Sequence, residues 1–259
     1  MDLQIPPVDQ FQVFIICAAR VAGFINGTTI IFDRHVPTLF KAGYVVMLSL
    51  VLFPIMSPFI PKGPLEMGPF FFLIVNETLV GLIIGLMVTL IFTAIQFGGT
   101  VIGYQMGFAA ANVFDPQNQN QTSLISEFNN VFAIFLFLAL NVHHVFIRAA
   151  VKSYEILPPG KLDLSHAAIP YLLGLSSKMF VLSLQFSAPV LAMLLLSGLI
   201  LGILARIFPQ LNVFLLSYPL NIGISFIVIG LTLNMASILL RREFDSIPER
   251  INTLLHFMN

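Results

Sequence analysis

The chain has 259 residues, of which 58% are hydrophobic and only 9% charged, with 12 basic and 12 acidic side chains that cancel. A water-soluble domain carries about a quarter charged residues, so this composition excludes a globular surface bathed in water, and zero net charge gives nucleic acid nothing to hold. With Cys17 as the one cysteine, an internal disulfide and any cysteine-based metal site are excluded as well.

The start of the chain carries Asp2 and Asp9 and no basic residue ahead of the first apolar run, so no cleavable signal is expected. Segment one runs from about Val8 to Phe32, long enough to cross a bilayer that needs roughly 20 apolar residues, with Arg20 and Asn26 inside it. Asp33, Arg34 and His35 make a charged turn closed by Pro37. Segment two spans about Ala42 to Ile60 and is broken by Pro54 and Pro58, and a stiff loop from Pro61 to Pro64 follows. Segment three, Phe70 to Gly107, is too long. As one helix rising 1.5 Å per residue it would measure roughly 57 Å, against a hydrocarbon core of about 30 Å. It must protrude, tilt or break, and Gly98 with Gly99 is the expected break. Gly81 and Gly85, four residues apart, form a face on which another helix backbone can settle. Gly99, Gly103 and Gly107 form a second such face.

After Gly107 the character changes. Phe108 and a run of alanines lead to Phe114, Asp115 and Pro116, where proline stops any helix. Five amide side chains, Gln117 to Gln121, come next. This pattern predicts a close-packed helix end feeding a loop inside a protein-lined cavity. Met106, Phe108 and Phe114 flank that loop, and flexible or bulky apolar side chains can close an opening without burying polar groups. Segment four starts at Ser123, a natural N-cap, and runs to about Leu157 before Pro158, Pro159 and Gly160. Segment five, Ile169 to Phe208, is again about twice the needed length, with Pro189 as its expected kink. Segment six covers about Val213 to Leu240 and contains Pro219. The tail from Arg241 to Asn259 has mixed charge and reads as an amphipathic surface helix. Arg241 and Arg242 favour a cytoplasmic end for segment six, whereas the acidic start favours the outside. Six simple crossings would put both ends on one side, so the overlong segments are expected not to behave as ordinary spans.

Charges inside apolar segments need a partner or water. Those here are Arg20, Glu77, Lys178 and Arg206. Glu77 can pair with Arg20 or Lys178 within the bundle, or one of these groups can face a neighbouring subunit or a conduit. A proton relay through Glu77, His143 and His144 is the weaker alternative, because adjacent helical histidines sit about 100° apart. No metalloprotease, phosphate-loop, nucleophile-elbow or dinucleotide motif is present, so no catalytic, metal or cofactor residue is assigned. Two rival classes remain: a secondary transporter with an ion site on Glu77 and Lys178, and a membrane-embedded enzyme, disfavoured by the missing catalytic cluster.

Two stretches resemble a known family. Val101 to Gly107 with Phe114, Asp115 and Pro116 is similar to one signature of the FliR-like export-gate proteins of flagellar and virulence type III secretion. Arg206, Pro209, Gln210, Asn212 and Phe214, followed by Pro219 and Leu220, is similar to a second. The resemblance covers essentially the whole chain. It implies an all-α integral membrane protein that does no covalent chemistry and has no cofactor, made of long kinked helices in hairpins. A FliP-like part, residues 1–165, would hold a plug loop near 106–122. It would join a FliQ-like hairpin, residues 166–240, and a tail, residues 241–259. The resemblance further implies one copy of the chain in a hetero-oligomer with FliP-like and FliQ-like subunits, in contact with an FlhB-like switch protein. That assembly would sit in the bacterial inner membrane at the flagellar basal body, partly raised toward the periplasm, and conduct unfolded export substrates. By position, the plug would comprise Met106, Gly107, Phe108, Phe114, Asp115 and Pro116. Arg206, Pro209, Gln210 and Asn212 would meet another subunit; the residues themselves already point to Gly99, Gly103 and Gly107 as helix-packing positions and to Arg20, Glu77 and Lys178 as buried charges.

Overall fold

The computed structural model describes residues 8–28, 36–60, 66–107, 123–164, 167–210 and 212–259. Among them are eight α-helices and no strand. In chain order these are α1 (Val8–Gly27), α2 (Thr38–Met56), α3 (Met67–Met106), α4 (Leu124–Ala139), α5 (Val142–Ile156), α6 (Ala168–Ile207), α7 (Val213–Asp245) and α8 (Ile247–Phe257). A short 3-10 turn, Ser57–Phe59, carries Pro58 and finishes α2. Five stretches are long and apolar enough to cross a membrane: Gln10–Gly27, Thr38–Phe59, Met67–Met106, Ala168–Ile207 and Leu215–Phe257; the α4–α5 pair would make a sixth. The protein is an all-α integral membrane protein.

The chain divides into two compact units, each assembled from separated stretches. The first combines Met1–Leu90, Asn141–Ser176 and Asp245–Asn259; the second combines Ile91–Leu140 and Ser177–Phe244. In the first unit α1 meets α3 backbone to backbone. A Cβ added to Gly23 would strike the Thr78 carbonyl, and one added to Gly81 would strike that of Arg20. One turn further on, a Cβ on Gly27 would lie 2.6 Å from Leu82 O, and one on Gly85 2.6 Å from Phe24 O. Two glycine pairs, each spaced four apart, therefore interlock, and Thr89 Oγ1 donates to Gly27 O at 2.6 Å to close the seam. On α1, Phe14 packs edge-on against Phe53 of α2, with ring centres 5.8 Å apart. The amphipathic α8 buries Ile247, Ile251, Leu254 and Leu255. Its end is tied down where the Asp163 N–H donates to Met258 O at 2.8 Å. In the second unit, Phe92 of α3, Phe137 of α4 and Phe244 of α7 form a ring cluster with centres 5.6 to 5.8 Å apart.

Two expectations about breaks are overturned. Segment three does not break at Gly98 and Gly99; α3 is one helix of 40 residues, roughly 60 Å long. The glycines there serve approach rather than interruption: a Cβ on Gly98 would lie 3.0 Å from Ser183 O, and one on Gly99 2.6 Å from Ser126 Cα. Segment four, expected as one run, is two helices, Leu124–Ala139 and Val142–Ile156. The break is at Asn141, whose backbone is left-handed with φ 55°, a conformation asparagine tolerates better than other side chains because its amide can bond locally. Pro189 and Pro219 lie within α6 and α7, each of which continues past its proline as one element.

Candidate functional site

The end of α3 is shaped for contact. Gly99 and Gly103 are one turn apart, and a Cβ on Gly103 would run into the Ser123 hydroxyl. The first two turns of α4 therefore rest on bare α3 backbone, and Ser126 Oγ donates to Gln96 O at 2.8 Å. Ser123 stands at the N-cap position of α4, yet its side chain makes no capping bond. Gly107 then ends α3. Its φ is 91°, its N–H turns back to Tyr104 O at 3.1 Å, and the Tyr218 ring of α7 lies 2.6 Å from where a Cβ would be. Both the backbone and the space demand glycine there. We expect Gly107→Ala to cost about 1–2 kcal/mol from the left-handed backbone alone. In a Tyr218→Ala background the remaining steric part vanishes, which a comparison of thermal midpoints measures.

Met106, one residue earlier, is wholly buried. It joins Ile102, Ile125, Val190, Leu194 and Ile229 in an apolar cluster drawn from α3, α4, α6 and α7. Met106 and Gly107 are thus held in the second unit, whereas Phe108, Phe114, Asp115 and Pro116 lie outside the described residues.

The first unit contains a buried charged centre. Arg20 and Glu77 are each only 1% exposed, and Arg20 Nε donates to Glu77 Oε2 at 2.5 Å. The other guanidinium nitrogens donate to Ser153 Oγ at 2.9 Å and to Leu157 O at 3.1 Å. The face of the guanidinium lies 3.8 Å from the centre of the Tyr154 ring, a cation–π contact that gains strength out of water. Gly160, left-handed at φ 85°, presents its backbone N–H to Glu77. One arginine therefore ties together α1, α3, the last turn of α5 and the residue after it. Planar guanidinium suits this, because its five donors are fixed in a fork. The two charges at the centre are matched to each other, so the arrangement joins helices.

Lys178 and Arg206, the other two charges, are exposed on α6. Arg206, Pro209 and Gln210 are exposed around the turn between α6 and α7. Asn212, also exposed, accepts the Leu215 N–H on Oδ1 at 3.2 Å, in the manner of an N-cap. Among the described residues no group of three or more His, Cys, Asp or Glu side chains could hold a metal ion.

Residues 11–247 match the family model described as bacterial export proteins, family 1. The chain belongs to that family. It is 33% identical over 253 residues to flagellar biosynthetic protein FliR of Bacillus subtilis (strain 168), covering 96% of each chain. The protein of the same name from Escherichia coli (strain K12) is 30% identical over 210 residues, 80% of this chain and 79% of the relative. That from Caulobacter vibrioides is 26% identical over 226 residues, 86% and 90% of the two. The family is one of export components and not of enzymes.

Several residues that shape this export protein escape sequence reasoning. Gly23 and Gly27 repeat the four-residue spacing of Gly81 and Gly85, a signal that pairing the two motifs would have found. Tyr218, Ser153 and Gly160 carry no local signal, because their roles arise only when distant stretches meet.

Proposed function

We propose that this chain is a structural subunit of the flagellar type III export gate, present once beside FliP-like and FliQ-like subunits and contacting an FlhB-like switch protein. It forms part of the wall of a channel for unfolded flagellar substrates, in the bacterial inner membrane with part of the assembly raised toward the periplasm. Residues 1–165 are its FliP-like part, 166–240 its FliQ-like hairpin and 241–259 its tail. Membership of the export family and the FliR names of its relatives support the setting.

Among structural observations, α6 supports the reading best. It has 40 residues, roughly 60 Å or twice a hydrocarbon core, and it is bare: Leu173 is 66% exposed and Leu195 70%. On α7, Leu215 and Leu231 are 72% and 78% exposed. Lipid can cover about half of such a length, and protein partners must cover the rest. Extraction in gentle detergent followed by mass measurement tests this. The chain should appear only within a large hetero-oligomer; a stable monomer or small homo-oligomer would refute the reading. Arg206, Pro209, Gln210 and Asn212 form a contact with a neighbouring subunit, so Arg206→Ala should strip partners from the extracted complex.

Met106 to Pro116 is the plug, with Met106 as its fixed root and Gly107 as the point where helix gives way to loop. Deleting residues 108–114 should make the assembled complex leaky to ions, and unchanged conductance in planar bilayers would count against a plug. The transporter alternative draws no support from its two chosen residues, since Glu77 is engaged by Arg20 and Lys178 is exposed.

A further inference from the structure

A groove in the second unit runs along α6 and α7 beside Pro189. Phe186, Val190, Ile229 and Leu233 make its walls apolar, and Asn129 of α4 lies in its lining together with Gln185 and Pro189. It has room for a water-sized group. Asn129 is 2% exposed, and its amide nitrogen has no hydrogen-bond partner among the described residues. A buried carboxamide left in that condition is costly, and native proteins rarely tolerate it. The same stretch holds a carbonyl that lacks its usual helical donor. Proline has no N–H, so residue 189 cannot donate to the carbonyl of Gln185 one turn earlier. Gln185 and Pro189 both line the groove, which puts the missing helical donor beside its wall. Thr232, a third lining residue, already donates through Oγ1 to Val228 O at 2.8 Å and can still accept.

We propose that the groove is the binding site of one ordered water, which accepts from the Asn129 amide, donates to the Gln185 carbonyl and so lets Pro189 stand inside a lipid-facing helix. The chemistry selects water over a lipid tail. An acyl chain satisfies neither group, whereas a water with two to four polar partners is a stable part of a protein interior. Prolines within membrane helices persist where something else satisfies the freed carbonyl. Asn129 supplies the donor that anchors the water, and the apolar walls keep it from exchanging freely along the groove.

The test uses the protein purified with its co-purifying partners in lipid nanodiscs, imaged at a resolution that resolves waters. The expected result is one water peak within about 3 Å of both the Asn129 carboxamide and the Gln185 carbonyl. An acyl chain in the groove, or no peak there, overturns the proposal. A stability cycle gives an independent reading. Pro189→Ala returns the N–H that Gln185 lacks, and Asn129→Leu removes the anchor of the water. If one water serves both groups, the midpoint shift from Asn129→Leu at least halves in the Pro189→Ala background. Additive shifts overturn the proposal, because they mean the two sites share nothing.

Discussion

Glu77→Ala should lower the stability of the protein by about 3–5 kcal/mol, the loss typical when one member of a buried ion pair is removed. The guanidinium of Arg20 stays behind, 1% exposed, with its Nε donor aimed at nothing. Ser153 and Leu157 continue to hold it by two hydrogen bonds, so it cannot swing out to water without giving those up. Arg20→Ala should cost a similar amount, because it strands the Glu77 carboxylate. The double variant Arg20→Met with Glu77→Leu should recover part of the loss, since a buried pair replaced by apolar groups of similar bulk is often nearly neutral. Recovery stays incomplete because Leu157 O and the Gly160 N–H lose their partners. Thermal midpoints of the detergent-extracted protein measure all three. A double variant as damaged as the sum of the singles would mean that Arg20 and Glu77 do not act as a unit.

The second large effect is expected at Gly81. A Cβ there would strike the Arg20 carbonyl and lie 2.6 Å from the Phe24 nitrogen. Backbone cannot rotate aside as a side chain does, so α1 and α3 must separate along the seam that Gly23, Gly27 and Gly85 also form. Overpacking of this kind costs about 1–3 kcal/mol, against which alanine's better helix propensity returns up to about 1 kcal/mol. Gly198 on α6 provides the contrast, since a Cβ there meets nothing within 4 Å. In the detergent-extracted protein Gly198→Ala should therefore raise the midpoint while Gly81→Ala lowers it. Shifts of the same sign at both positions would refute the backbone-contact account of the α1–α3 seam.

Segment boundaries and the all-α class were legible because apolar runs this long leave few alternatives. The meaning of individual glycines was not. Gly98 and Gly99 carry the same chemistry whether a helix breaks or a neighbour approaches, and only the position of Ser183 and Ser126 decides for approach. The break at Asn141 was invisible for the opposite reason. It has neither proline nor glycine, and its left-handed backbone depends on how α4 and α5 are each held. Among the charges, Glu77 offered two partners on paper. Arg20 won because Gly23 and Gly81 bring α1 and α3 so close that the two side chains share one pocket. Arg206 and Lys178 lie exposed on α6, and what they meet is not written in this chain alone. The interleaving of stretches in the two compact units was also hidden, since no composition shift marks a unit boundary inside α3, α6 or α7.

The Arg20 centre also bears on how the protein is made. Its carboxylate partner is 57 residues further along the chain, and Ser153 and Leu157 come 133 and 137 residues after it. While the ribosome is still completing α2, α1 already carries a cation whose ligands have not been synthesised, and it is the least apolar of the five candidate spans. The first helix out is therefore secured late: the ligands of its arginine are complete only once α3 and then α5 have emerged.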